Sequence, residues 1–145
     1  MRSRKPFWVA LGCGFLLVLG CEPASTGESD TRVSVPGGAY TNLKAPAVRR
    51  MLGAKDFFFM NVHVPYEGEI AGTDAFIPFD QVEQQLQRLP SKKDTKILLY
   101  CRSGRMSDIA ARTLVRLGYT NLWHLDEGMI GWTRQGYPLI QGQGR

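Results

Sequence analysis

Cysteine and histidine are both scarce in this chain of 145 residues, which holds three cysteines (Cys13, Cys21 and Cys101) and two histidines (His63 and His124). Two histidines far apart, with no clustered carboxylates, exclude a metal site, and nothing in the pattern asks for a cofactor. No apolar run reaches the ~20 residues that a membrane-spanning helix needs. Acidic residues are missing altogether before Cys21, whereas Arg2, Arg4 and Lys5 open the chain. Setting those three aside leaves 15 basic residues against 13 acidic ones, a nearly neutral balance. With no basic stripe there is no electrostatic footprint for nucleic acid, so no nucleic-acid partner is expected. No internal repeat is visible. The remaining composition, 43% hydrophobic and 21% charged, excludes a disordered or collagen-like chain, and the length suits one domain with a core of its own.

What is present begins with a leader. The three basic residues are followed by PFWVALGCGFLLVLG, an apolar segment of signal-peptide size. The segment ends in VLGC, which resembles the lipobox of bacterial lipoproteins: an aliphatic residue, a small residue at the cut, then cysteine. Leu19 is bulkier than is usual at its position. The resemblance implies a signal peptide over 1–20, diacylation of Cys21, and an exported protein anchored to a membrane, facing the periplasm or the cell exterior. A multiply acylated anchor is stable where a single chain is marginal. Ordinary secretion and an uncleaved anchor are the alternatives. Residues 22–32, EPASTGESDTR, are small and polar and cannot offset the entropy of ordering them. The chain therefore divides into 1–20, an acylated terminus with a flexible tether over 21–37, and a folded domain over 38–145 that begins near Gly38.

Strands and helices then alternate. APAVRRML predicts a short helix with Pro46 in its first turn. DFFFMNVHV reads as a buried strand, DAFIPF as a short one, and KILLY as a second buried strand. DQVEQQLQRL predicts a helix capped by Asp80, with Val82, Leu86 and Leu89 on one face. MSDIAARTLVRLG predicts another, with Met106, Ile109, Ala110, Thr113, Leu114 and Leu117 facing the core and Gly118 as its stop. NLWHL is a last strand and GMIGWTRQG a last helix. This alternation argues for an α/β domain with a mostly parallel central sheet.

In such sheets ligands bind beyond the carboxyl ends of the strands. Cys101 falls there, between the strand KILLY and the following helix. Backbone N–H groups at a helix N-terminus favour an anion. Arg102 and Arg105 add positive charge, and Gly104 frees the loop's backbone. These surroundings favour the thiolate, the nucleophilic form of cysteine. Once the leader is removed and Cys21 carries lipid, Cys101 is the single free thiol of the domain. This reading requires that solvent reach the sulfur. An inert core cysteine is the alternative.

The stretch CRSGRMS, the buried strand before it and ARTLVRLGYTNLWHLDEGMIGW after it resemble a single rhodanese domain. FFMNVHVPYEGEIAGTDAFIPF is similar to that family's upstream motif, and the likeness runs from about 38 to 140. It implies a three-layer α/β fold, with the mostly parallel sheet flanked by helices. It further implies a sulfurtransferase that holds sulfane sulfur as a persulfide on Cys101. Thiosulfate would be a fitting anionic donor, and a thiol or cyanide the acceptor. Arg102 and Arg105 would bind the donor's oxygens. Backbone N–H groups from Arg102 through Ser103, Gly104 and Arg105 to Met106 would stabilise the persulfide. Ser103 and Ser107 would either donate hydrogen bonds or cap the helix. Cysteine phosphatases instead carry C-x5-R, and the arginine position counted from Cys101 holds Ser107. The loop Cys101–Met106 also has the six-residue length associated with sulfurtransferases rather than the longer phosphatase-like loop.

Three departures stand out. Asn61 replaces the family's usual Asp, His63 a frequent Arg, and Glu69 a frequent His. Asn61 and His63 remain candidates for supporting the loop, and the acid–arginine pair of the family is absent or rebuilt. Asp126 and Glu127 make the rim before Gly128 acidic, and His124 reads as a satisfied or edge histidine. A persulfide carrier and a non-catalytic binding module that uses the same fold are the competing functions.

Overall fold

The computed structural model describes residues 30–142. The expectations for the leader, for Cys21 and for residues 22–29 of the tether lie outside the described residues. One six-stranded sheet runs in the order β1-β2-β6-β5-β3-β4. Its strands are β1 (Thr31–Val35), β2 (Gly38–Leu43), β3 (Phe58–Asn61), β4 (Ala75–Phe76), β5 (Ile97–Tyr100) and β6 (Leu122–Leu125). The helices are α1 (Ala45–Leu52), α2 (Arg105–Arg116) and α3 (Gly128–Arg134). Among the described strands only β1 is antiparallel to its neighbour, and the other strand pairings are parallel; an isolated antiparallel bridge joins Glu69 to Ile140. Among the described residues no helix is long and apolar enough to cross a membrane.

The layers follow from the two-residue period of strands. In β5, Ile97 and Leu99 join the core under α2, whereas Leu98 and Tyr100 join the core under α1 and α3. All four are fully buried, so each contributes roughly 1.5–3 kcal/mol of hydrophobic stabilisation. A strand that is apolar on both faces belongs in the middle of a covered sheet. Cys101 leaves this central strand at its carboxyl end, as the sequence implied.

Three expectations need correction. Gly38 starts β2, not the fold: β1 already pairs with β2 through the register Thr31↔Asn42 to Val35↔Gly38. Residues 80–89 form no α-helix; turns lead into a single 3-10 turn at Leu86–Arg88. Val82 and Leu89 anchor the segment while Leu86 stays exposed, so a helix there would have little buried face to offset the cost of nucleation. The third concerns α2, whose buried stripe is Ser107, Ala110, Ala111, Leu114 and Val115. Ile109 faces solvent. The helix is thus rotated by about one residue from the apolar pattern, and the rotation turns the hydroxyl of Ser107 inward.

Candidate active site

Cys101 Sγ sits at the foot of the loop that joins β5 to α2. The Gly104 N–H donates to the sulfur at 3.1 Å, and Ser107 Oγ lies 3.4 Å from it. Gly104 is also the residue preceding α2, at φ +91, in the left-handed region. A Cβ there would stand 3.3 Å from the Glu127 nitrogen, so glycine alone fits without displacing the neighbouring loop. No side chain caps α2. Ser107 lies inside the helix's first turn and is fully buried; its Oγ meets the Gly104 carbonyl at 3.1 Å and His124 Nε2 at 2.8 Å. Ser103 is exposed and, among the described residues, caps nothing.

The loop's shape is imposed from α3. The Met129 N–H donates to the Cys101 carbonyl and the Ile130 N–H to the Arg102 carbonyl, each at 2.9 Å. With those two carbonyls held outward, the peptide at Gly104 presents its N–H to the sulfur.

Cys101 itself retains 1% of its exposure. This departs from the open thiol that the sequence reading required. The side chain belongs to the core beneath α2, while Arg102, Ser103 and Arg105 of its loop are exposed. Met106 is half-buried against the same core.

The two arginines are not equivalent. Arg102 Nε lies 3.5 Å from Glu67 Oε2, and that same oxygen is 3.1 Å from His63 Nε2. Arg105 has no ion pair among the described residues and is the free cation at the mouth. Glu67 thereby ties the upstream loop to the cysteine loop. Asn61 serves the same loop without charge: its Oδ1 accepts from the His63 N–H at 3.0 Å and its Nδ2 donates to the Gly68 carbonyl at 3.1 Å. His63 Nδ1 is buried with no hydrogen-bond partner among the described residues. Glu69 is drawn away, accepting from the Tyr66 hydroxyl at 3.1 Å.

Sequence reasoning overlooked Glu67 and read His124 only as a satisfied or edge histidine, without a place beside the cysteine. His124 is buried on an interior strand, with Nδ1 2.8 Å from Asn42 Oδ1. Burial pushes its imidazole below the ordinary 6.5, against the pull of the Gly104 carbonyl and of Asp126 and Asp108. Asp108 is held low despite its burial by Arg112 and by the Tyr40 hydroxyl, and Tyr40 is pushed up to about 12 by burial and by that bond. Among the described residues no three His, Cys, Asp or Glu side chains converge as a metal site would require.

A model of the rhodanese-like domain matches residues 60–135, and the chain belongs to that family. Among curated proteins it is 32% identical over 112 residues to the tRNA uridine(34) hydroxylase of Salmonella arizonae and 31% identical over 112 residues to that of Erwinia tasmaniensis. Each match takes in 70% of this chain and 31% of the relative, so the chain spans about a third of their length. Among solved structures, a rhodanese-related protein of Thermoplasma volcanium aligns at a TM-score of 0.58 with 26% identity, over 70% of this chain and 96% of that one. The thiosulfate sulfurtransferase of Pseudomonas aeruginosa shares the fold at a TM-score of 0.61 and 23% identity, over 72% of this chain and 21% of that one.

Proposed function

We propose that this protein is a sulfurtransferase that moves sulfane sulfur from an anionic donor such as thiosulfate to a thiol or cyanide-like acceptor through a persulfide on Cys101. The observation that carries the reading is the Gly104 N–H directed at Cys101 Sγ from 3.1 Å within a six-residue loop. A donor N–H at that place favours a sulfur anion before, during and after transfer. In the first half-reaction the Cys101 thiolate attacks the outer sulfur of thiosulfate. The sulfur–sulfur bond of the donor breaks, and sulfite leaves with the electron pair. In the second, the acceptor attacks the outer sulfur of the persulfide and the Cys101 thiolate is released. Arg105 attracts the donor; Arg102, already shared with Glu67, steadies the departing anion.

We further infer that the protein is exported and acylated at Cys21, which would set this chemistry at a membrane surface. It takes no nucleic-acid partner on this reading, because the chain beyond the leader is nearly neutral. The similar hydroxylases are named for a reaction on tRNA; retention of tRNA on a filter at physiological salt would overturn that part.

Intact mass of the protein isolated from membranes, before and after thiosulfate, tests the reading. One added sulfur on Cys101, lost on addition of cyanide with thiocyanate produced, is the expected result, and Cys101→Ser abolishes it. A persulfide that forms and never turns over makes the protein a carrier. No sulfur loading at all leaves a binding module.

A further inference from the structure

A continuous line of hydrogen-bonding atoms leads away from the sulfur into the protein. Cys101 Sγ is 3.4 Å from Ser107 Oγ, Ser107 Oγ is 2.8 Å from His124 Nε2, and His124 Nδ1 is 2.8 Å from Asn42 Oδ1. The directions of these bonds follow from the groups. An amide oxygen only accepts, so Asn42 Oδ1 asks for a hydrogen on His124 Nδ1, and the Gly104 carbonyl, 3.1 Å from Nε2, asks the same of the other nitrogen. In the Nδ1–H tautomer Nε2 of the neutral ring bears the lone pair, and the Ser107 hydroxyl donates to it. That hydroxyl has a single hydrogen and three acceptors in reach, Nε2, the Gly104 carbonyl at 3.1 Å and Cys101 Sγ; given to Nε2, it leaves an oxygen lone pair toward the thiol.

We propose that Ser107 and His124 form a proton relay that takes the proton from the Cys101 thiol and returns it when the thiolate is regenerated. The proposal rests on the reading of Cys101 as the sulfur carrier. When the thiol ionises, Ser107 Oγ takes its proton and passes its own to Nε2. One proton has moved, leaving a thiolate and an imidazolium. Every bond then reverses: Nε2–H donates to Ser107 Oγ, and the hydroxyl donates to the sulfur anion. The Gly104 carbonyl, 3.1 Å from Nε2, offers the imidazolium a second acceptor.

The surroundings suit both states. Burial keeps the resting imidazole neutral, so its lone pair is available. Asp108 from α2 and Asp126 beyond β6 favour the charged form, while the Tyr40 ring of β2 packs edge-on at 5.9 Å. A thiol with 1% exposure gives bulk base little access, which is the circumstance in which an internal route matters. A histidine that only filled space between β6 and α2 would need no hydroxyl between its ring and the sulfur.

The test compares alkylation of Cys101 by iodoacetamide in wild-type protein, Ser107→Ala and His124→Gln across pH, with folding checked by thermal melting. Near neutrality both variants are expected to react at least roughly tenfold more slowly, with rates converging on wild type in strong alkali, where hydroxide takes the proton directly. Variants that match wild type at neutral pH, or that lose the same factor at every pH, overturn the relay. A second measurement needs no reagent: the carbon-13 titration of the His124 ring in wild type and Cys101→Ser. A displaced titration supports the coupling and an identical one overturns it; this measurement decides alone if wild-type Cys101 resists alkylation. Sulfur loading by mass is scored separately, so a wild-type protein that takes no sulfur defeats the sulfurtransferase reading while the relay is still judged on protons.

Discussion

Gly128 presses on the carbonyl of Cys101 so closely that a Cβ added to it would fall 2.1 Å from that oxygen, and it sits at φ +53 besides. The contact is with backbone, which cannot swing aside. Gly128→Ala is therefore expected to cost about 3 kcal/mol or more and to abolish sulfur loading, because the loop must shift to admit the methyl group. Gly136→Ala is the control: its φ is +77 but nothing lies within 4 Å of the added atom. It should lose only about 1 kcal/mol and keep its activity. Urea unfolding and mass analysis of both variants check the contrast.

Glu67 competes with any anionic donor for Arg102. Its carboxylate is 41% exposed, so the pair adds at most about 1 kcal/mol to stability. Glu67→Gln should leave the melting temperature nearly unchanged while lowering the KM for thiosulfate roughly two- to fivefold, since it removes a negative charge from the mouth. Steady-state kinetics at low salt would show it, and the effect should fade as salt is added.

The central strand, the helix after Cys101 and the glycine of the loop could all be read from the chain, because they depend on neighbours in sequence. Ser107 was visible as a candidate but not in its role. A polar residue inside the buried stripe of α2 offset the apolar pattern by about one residue, and its orientation appears only with the packed helix. His124 was read as an edge or satisfied histidine. Both ring nitrogens are satisfied, but the strand is interior, between β2 and β5, and strand order across crossovers is not encoded in local pattern. Glu67 lies far from Arg102 in sequence, so their pairing rests on the path of the loop after β3. Residues 80–89 failed for a different reason: helical spacing was present, but the segment had too few buried anchors, with Val82 and Leu89 buried and Leu86 exposed.

His124 also makes a prediction about stability. Its folded-state titration is depressed by burial, so the unfolded chain, near the ordinary 6.5, binds a proton more readily. The contribution is fully present above that pH and is lost as pH falls from there through the depressed folded-state titration. Chemical denaturation at neutral and mildly acidic pH should show falling stability, and His124→Gln should flatten the slope in that window. Asp108 is likewise depressed, from 3.8, and its loss belongs to a separate window at lower pH. A slope unchanged by His124→Gln would assign the acid sensitivity elsewhere.

The burial of Cys101 sets a size limit on what can react with it. At 1% exposure the residue is almost closed off, and the carbonyls of Cys101 and Arg102 are tied to α3, which restrains the loop from opening. Iodoacetamide and a bulky aromatic disulfide should therefore differ far more in their rates with Cys101 than with the same thiol in unfolded protein. The difference is expected to exceed tenfold, about 1.4 kcal/mol of added barrier. Loosening the mouth distinguishes steric exclusion from simple lack of reactivity. Met129→Pro removes the N–H that holds the Cys101 carbonyl, and should narrow the gap between the two reagents by accelerating the larger one. Equal rates for both reagents in the folded wild-type protein would mean that the loop opens readily and that the closed form is not what substrates meet.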